Sequence, residues 1–150
     1  MAGFTTLVDE RGIATVTLDN PPINLLDLDL FLGLAGEFDR LANDDATRVV
    51  VIESASPEWF IAHFDVGVIQ HLPTEVHPDD PPNTFHQMCE SLRTMPKPTI
   101  AAIDGRVGGG GSELALSCDM RFATPESTLS QPEVALGIIP GGSGTVRLPR

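Results

Sequence analysis

The sequence predicts an α/β protein with helices packed on a sheet, and three kinds of segment predict it. Two short runs alternate apolar and polar residues around a tight turn. Two others, 48–52 and 99–103, read as short strands of the buried kind. Between them lie segments whose apolar residues recur at helical spacing. Two strands followed by a helix, repeated along the chain, is the order a layered α/β architecture requires.

Residues 4–8 and 13–18 alternate and flank Asp9-Glu10-Arg11-Gly12, which predicts a hairpin. Asn20-Pro21-Pro22 stops the second strand, because proline has no N–H to give a ladder. Beyond Asp27, the apolar residues Leu28, Phe31, Leu32, Ala35, Phe38 and Ala42 mark one face of a helix that Asp27 can cap. Residues 48–52 form a short, continuously apolar strand, expected to be buried on both faces. Residues 72–83 hold four prolines and several acids and predict a mobile loop. A second helix covers 85–95 and is closed by Pro96. A buried strand at 99–103, a glycine turn, a helix from about 111 and a strand at 120–123 follow. Gly141-Gly142-Ser143-Gly144 reads as a turn that starts another short helix. No linker or low-complexity segment divides the chain, so residues 1–150 are expected to form one domain.

Charge excludes one class of partner. The formal net charge is −12, with one lysine, Lys97, among nine cationic residues. Nucleic-acid binding needs a basic footprint, and the sequence has none. A phosphate-bearing ligand would need a local basic cluster. Arg93, Lys97 and Arg106 are the candidates near the glycine turn, with ordinary surface residues as the competing reading. No apolar run approaches the roughly 20 residues that span a membrane, and no basic patch precedes an apolar stretch at the N-terminus. Neither a membrane partner nor a signal peptide is therefore expected. Cys89 and Cys118 form no motif and are expected as reduced, buried thiols of a cytoplasmic protein. His71, His77 and His86 have no metal-ligand spacing with Cys89, so no metal site is expected.

Chemistry concentrates at Val107-Gly108-Gly109-Gly110-Gly111-Ser112-Glu113. A strand, a glycine turn and a helix start place bare N–H groups where a ligand can approach. The helix dipole there favours negative charge, so an oxygen that becomes anionic during reaction would be stabilised. A plain flexible loop is the competing reading. Nucleotide alternatives are weaker. The 141–144 segment lacks the Gly-Lys-Ser/Thr ending of a phosphate loop, and the 108–111 run does not match dinucleotide spacing.

Pro98-Thr99-Ile100-Ala101-Ala102-Ile103-Asp104-Gly105, followed by Gly108 to Asp119, resembles the signature of the enoyl-CoA hydratase/isomerase (crotonase) superfamily. Asn20-Pro21-Pro22-Ile23-Asn24, the stretch Gln131 to Gly137 and the stretch Pro140 to Thr145 resemble further motifs in the same register. The resemblance implies a spiral of repeated β-β-α units that binds an acyl-CoA thioester, as in fatty acid metabolism. The N–H groups of Gly110 and Phe64 would polarise the thioester carbonyl and stabilise an enolate. Ala62, His63, Asp65, Gly109 and Gly111 would contact substrate around them. Glu113 and Glu133 match the two hydratase glutamates. No cofactor is implied, since coenzyme A is part of the substrate.

The resemblance favours an enoyl-CoA hydratase. Another reaction of the scaffold (isomerisation, thioester hydrolysis, decarboxylation) and a non-catalytic acyl-CoA-binding subunit are the alternatives. Several residues depart from the pattern. His63 replaces the usual glycine, and histidine would fit poorly there if the backbone needs φ above zero. Its imidazole could enter the pocket as an acid–base group or pack facing away. Phe64 is bulkier than the usual alanine, and its ring is expected to line the acyl pocket. Asp104 stands for asparagine, with little effect expected. The chain is shorter than the family's and lacks the C-terminal helical part the resemblance implies, so it is expected to be either a fragment or a shortened member. The resemblance implies a homotrimer or hexamer, and apolar surface left uncovered would favour association.

Overall fold

The computed structural model describes residues 3–69, 75, 77 and 79–149. The expected hairpin forms from β1 (Phe4–Val8) and β2 (Ile13–Leu18), paired antiparallel with Phe4 opposite Leu18 and Val8 opposite Ala14. Its turn is closed by Asp9, whose carboxylate accepts from the Arg11 and Ile13 N–H groups at 2.9 Å. Helix α1 (Leu28–Asn43) starts where expected, with the Asp27 carboxylate accepting from the Leu30 N–H at 2.9 Å.

Beyond α1 the chain follows a repeat. Strand β3 (Val49–Ser54) is followed by β4 (Trp59–Ile61), and after α2 (Val66–Ile69) and α3 (Thr84–Thr94) comes β5 (Thr99–Ile103) with β6 (Arg106–Gly108). Then α4 (Gly110–Ser117) precedes β7 (Met120–Ala123) and β8 (Thr128–Ser130). A 3-10 turn (Pro132–Leu136) and α5 (Gly144–Arg147) complete the described elements. The first strand of each pair joins a five-stranded sheet, β1-β2-β3-β5-β7, and the second joins a three-stranded sheet, β4-β6-β8. Every pairing except the hairpin is parallel. Each return of the chain thus adds one strand to each sheet. This is the predicted spiral, and it stacks β4, β6 and the helix starts after them at one end of the site.

The core lies between the large sheet and the helices. Ala14, Val16, Leu18, Val50, Ile52, Ala101 and Ile103 meet Leu30, Leu34, Phe38 and Leu41 of α1 and Met88, Cys89 and Leu92 of α3. Each large apolar side chain buried this way contributes about 1.5–3 kcal/mol over exposure. The 48–52 strand differs from expectation. Val50 and Ile52 are buried while Val49 and Val51 are only half covered, so one face is core and the other is not. Residues 72–74, 76 and 78 of the loop expected over 72–83 lie outside the described residues, as does His71. Within it, 79–83 carry no helix or strand, and Asn83 caps α3 by accepting from the His86 N–H. The third turn of the spiral is the least covered. Every residue of β7 and β8 is exposed, Phe122 at 63%. No helix among the described residues is long and apolar enough to cross a membrane.

Candidate active site

The turn from β6 into α4 builds the centre of the site. Gly109 takes φ +49°, a left-handed conformation that admits glycine and few other residues. Its N–H is held by the Ser130 carbonyl at 3.1 Å, so the neighbouring strand β8 fixes the turn. The next N–H, that of Gly110, opens α4. A Cβ on Gly110 would lie 2.8 Å from the Phe64 Cβ and 3.5 Å from the Phe64 nitrogen, so no larger residue fits between the two backbones.

Phe64 arrives there because residues 62–65 are stitched to the segment before α1. The Ala62 N–H donates to Ile23, the Leu26 N–H to His63, and the Asp65 N–H to Leu26. Buried Asn24, with φ +49°, holds that segment by donating to Ser54 Oγ and to the Trp59 and Phe60 carbonyls. Pairing on that side leaves the Phe64 N–H on the other. Neither it nor the Gly110 N–H meets an acceptor among the described residues. Adjacent unpartnered backbone donors are rare, and they suit an oxygen that gains negative charge.

Of the two predicted carboxylates, Glu133 faces this turn and Glu113 faces the glycines of 141–144. Glu113, one helical turn into α4, is 3% exposed, and its Oε1 accepts the Gly144 N–H at 2.8 Å. Burial pushes its pKa up, and the negative charge of Glu133 adds to that. The Gly144 and Gly142 N–H groups and His86 pull the other way without winning. Glu133 opens the 3-10 turn, with Oε1 3.0 Å from where a Gly109 Cβ would stand. With its amide nitrogen facing the carboxylate, Gln131 donates to both Glu133 oxygens at 3.0 Å. Twenty residues apart in sequence, the two acids come near enough for the charge of Glu133 to act on Glu113.

The remaining candidates divide. His63 is not at positive φ; among the described non-glycine residues only Asn24 and Ser143 are. Histidine is therefore accommodated without strain. Its Nδ1 lies 2.8 Å from the Phe64 carbonyl oxygen and its Cβ 3.7 Å from the Gly109 Cβ position, which puts the imidazole at the turn. The Phe64 ring packs edge-on against Phe31 and Phe85, with centroids 5.8 and 5.3 Å away. Ala62 is buried and Gly111 is closed off by Ile61. Asp65 accepts from the Gly67 N–H at 2.8 Å, at the start of α2. Asp104 accepts from Thr124 on an exposed turn, away from the site.

None of the three cations considered for a phosphate lies open at the turn. Lys97 donates to the Leu41 and Asp44 carbonyls at the end of α1, Arg93 pairs with Glu90, and the Arg106 guanidinium stacks 5.2 Å from the Trp59 ring. Cys89 and Cys118 are unbridged and buried, and burial pushes their thiols up to about 11 and about 12. No group of three or more metal-ligating side chains occurs among the described residues. The sequence reading missed Gly142, Gly144, Gln131 and Phe85. A backbone donor leaves no mark in residue identity, and the signals available were the glycines of 141–144 and the motif resemblance of 131–137 and 140–145.

Two open backbone donors and two acids thus stand on a parallel ββα spiral. The chain belongs to the enoyl-CoA hydratase/isomerase family, whose model matches residues 9–150. It is 36% identical over 154 residues to the peroxisomal fatty acid beta-oxidation multifunctional protein AIM1 of Arabidopsis thaliana, covering 99% of this chain and 20% of that one. It is 37% identical over 150 residues to the fatty acid oxidation complex subunit alpha of Idiomarina loihiensis, covering 97% of this chain and 21% of that protein. The crystal structure of enoyl-CoA hydratase from Bacillus anthracis superposes with a TM-score of 0.86 at 30% identity, over 99% of this chain and 57% of that one. The chain spans about a fifth of those two relatives and little more than half of the solved hydratase.

Proposed function

We propose that the protein hydrates a 2-enoyl-CoA. The N–H groups of Phe64 and Gly110 receive the thioester oxygen. Water adds its hydroxyl to the β-carbon, the double-bond electrons move onto the thioester oxygen as an enolate, and the α-carbon then takes a proton. Glu113 and Glu133 together remove one proton from water and return one to carbon, so no net proton is consumed. Burial favours the protonated form of Glu113, which suits it to hold a proton in such a step. The observation that carries this reading is the adjacency of two unpartnered backbone donors and a buried carboxylate with a raised pKa.

The chemistry needs no cofactor beyond the coenzyme A that the substrate brings. A homotrimer or a pair of trimers belongs to the same reading, supported by the apolar side chains that β7 and β8 expose. So does a cytoplasmic location, supported by two unbridged cysteines.

The test is incubation with crotonyl-CoA and a longer 2-enoyl-CoA, with products read by mass spectrometry. Gain of one water is expected. A shifted double bond or released CoA selects another reaction of the family. Tight ester binding without turnover selects a binding subunit. Glu133→Gln should abolish turnover while thioester binding survives, and loss of binding alone counts against the assignment.

A further inference from the structure

Ser143 sits at φ +95° in the left-handed region, where a serine persists only if its surroundings force it. It precedes α5, a single turn too short to hold itself. The residues on either side of Ser143 are the two that serve Glu113. Gly144 gives its N–H to Oε1, and Gly142 lies so close to Oε2 and the Phe85 ring that any side chain there would collide. What holds the turn is Arg147. Its Nε donates to Ser143 Oγ at 2.7 Å and its Nη2 to Glu90 Oε1 on α3 at 2.6 Å. The other Glu90 oxygen is taken by Arg93. The Arg147 side chain is 12% exposed, whereas Arg11, Arg40 and Arg93 in the other ion pairs are more than half exposed.

We propose that Arg147, anchored on Glu90, is a positioning residue for Glu113, fixing the 141–144 turn so that the Gly144 N–H orients the Glu113 carboxylate. The consequence for catalysis rests on the hydratase reading, but the geometric claim does not. Arg147 reaches the carboxylate through Ser143 and the turn. The charged and titratable groups that act on Glu113 are Glu133 of the 3-10 turn and His86 and Cys89 of α3. Without the Gly144 donor, the carboxylate would lose an interaction that favours its charged form, and its titration would move to higher pH.

The test uses the full chain with Arg147→Met, which keeps the apolar stem, and Ser143→Ala, which leaves the Arg147–Glu90 pair in place. The first readout needs no turnover. The Gly144 amide resonance is followed by NMR as pH is raised through the titration of Glu113. In the unaltered protein it should titrate with Glu113. In both variants it should move upfield, with the titration displaced to higher pH, while amides of β2 and β3 stay in place. The second readout is hydration, where kcat should fall roughly 10–100-fold with KM within about twofold. An unmoved Gly144 resonance in both variants overturns the proposal, and so does a displaced resonance with unchanged kcat. If Arg147→Met fails to fold, Ser143→Ala decides. If the resonance behaves as expected but no form hydrates substrate, the geometric claim stands and the hydratase reading fails.

Discussion

In the turn at 108–111, Gly109 takes φ +49° and the following N–H, on Gly110, is left without an acceptor among the described residues. In the turn at 141–144 it is Ser143 that takes φ +95°, and the following N–H, on Gly144, is bound to Glu113 at 2.8 Å. One turn opens an eight-residue helix buried along nearly its whole length; the other opens a four-residue helix of which Thr145 and Val146 are exposed. The first can stay rigid while leaving a donor open, because packing on Ile61 and Phe64 and the Ser130 carbonyl fix it. In the second, Gly142 packs on Glu113 and Phe85, and a side-chain bond from Arg147 holds Ser143. Open donors suit a reacting oxygen, and satisfied donors orient a carboxylate. Phe85 touches both turns, with Cζ 3.5 Å from the Gly110 Cβ position and its ring against Gly142.

The strongest way to break this contrast is to remove the charge that the second turn holds. Glu113→Gln keeps an oxygen for the Gly144 N–H but cannot exchange a proton, so kcat should fall about 10²–10⁴-fold. Stability should move the other way. The folded pKa of Glu113 is raised, so the folded state binds its proton more tightly than the unfolded chain does. That contribution is fully present below the ordinary value of 4.5 and is lost as pH rises through the folded pKa. Glu113→Gln should therefore melt higher than the parent at neutral pH, with the gap closing as pH falls from the folded pKa to 4.5. A gap independent of pH would show that the carboxylate is not held in the buried, raised state. Next comes Gly110→Ala. Its methyl meets Phe64 Cβ at 2.8 Å and must push the two donors apart. Loss of one such donor costs about 10²–10³-fold in kcat. Ester affinity should change far less, and equal losses in both would deny the pair a role specific to the transition state.

The sequence was most legible where elements are long. The hairpin, α1 with its Asp27 cap, α3, β5 and the glycine-started α4 all stand within a residue or so of expectation. Strands β4, β6 and β8 escaped because three residues carry too little periodicity to register. The half-covered face of β3 escaped because a valine run looks the same whether one face is packed or both. Within the site, Gly110, Phe64, Glu113 and Glu133 were named through the family resemblance; the fold sets Gly110 against Phe64, Glu133 against Gly109 and Glu113 against Gly142. Arg93, Lys97 and Arg106 are near the glycine turn in sequence, yet helix ends, an ion pair and the Trp59 ring engage them. The Arg147–Glu90 bond joins residues 57 apart, and no local pattern announces it.

Smaller changes sharpen the comparison. Phe85→Leu removes the ring that touches both turns and packs on Phe31 and Phe64. Denaturation should show a loss of about 1–2 kcal/mol, with kcat reduced by no more than about tenfold. A larger kcat loss would make the ring, rather than the hydrogen bonds, the element that sets the spacing of the turns. The smallest effect is expected at Gly141. A Cβ there meets only the Ile139 carbonyl oxygen, at 3.8 Å, and the residue is not at positive φ. Nothing in the folded state then opposes alanine, while the unfolded chain loses freedom. Gly141→Ala should stabilise by about 0.4–1 kcal/mol and leave hydration unchanged. If it instead lowers kcat, the 141–144 turn must flex during the reaction, and the fixed orientation of Glu113 argued from its hydrogen bond would describe only the resting state.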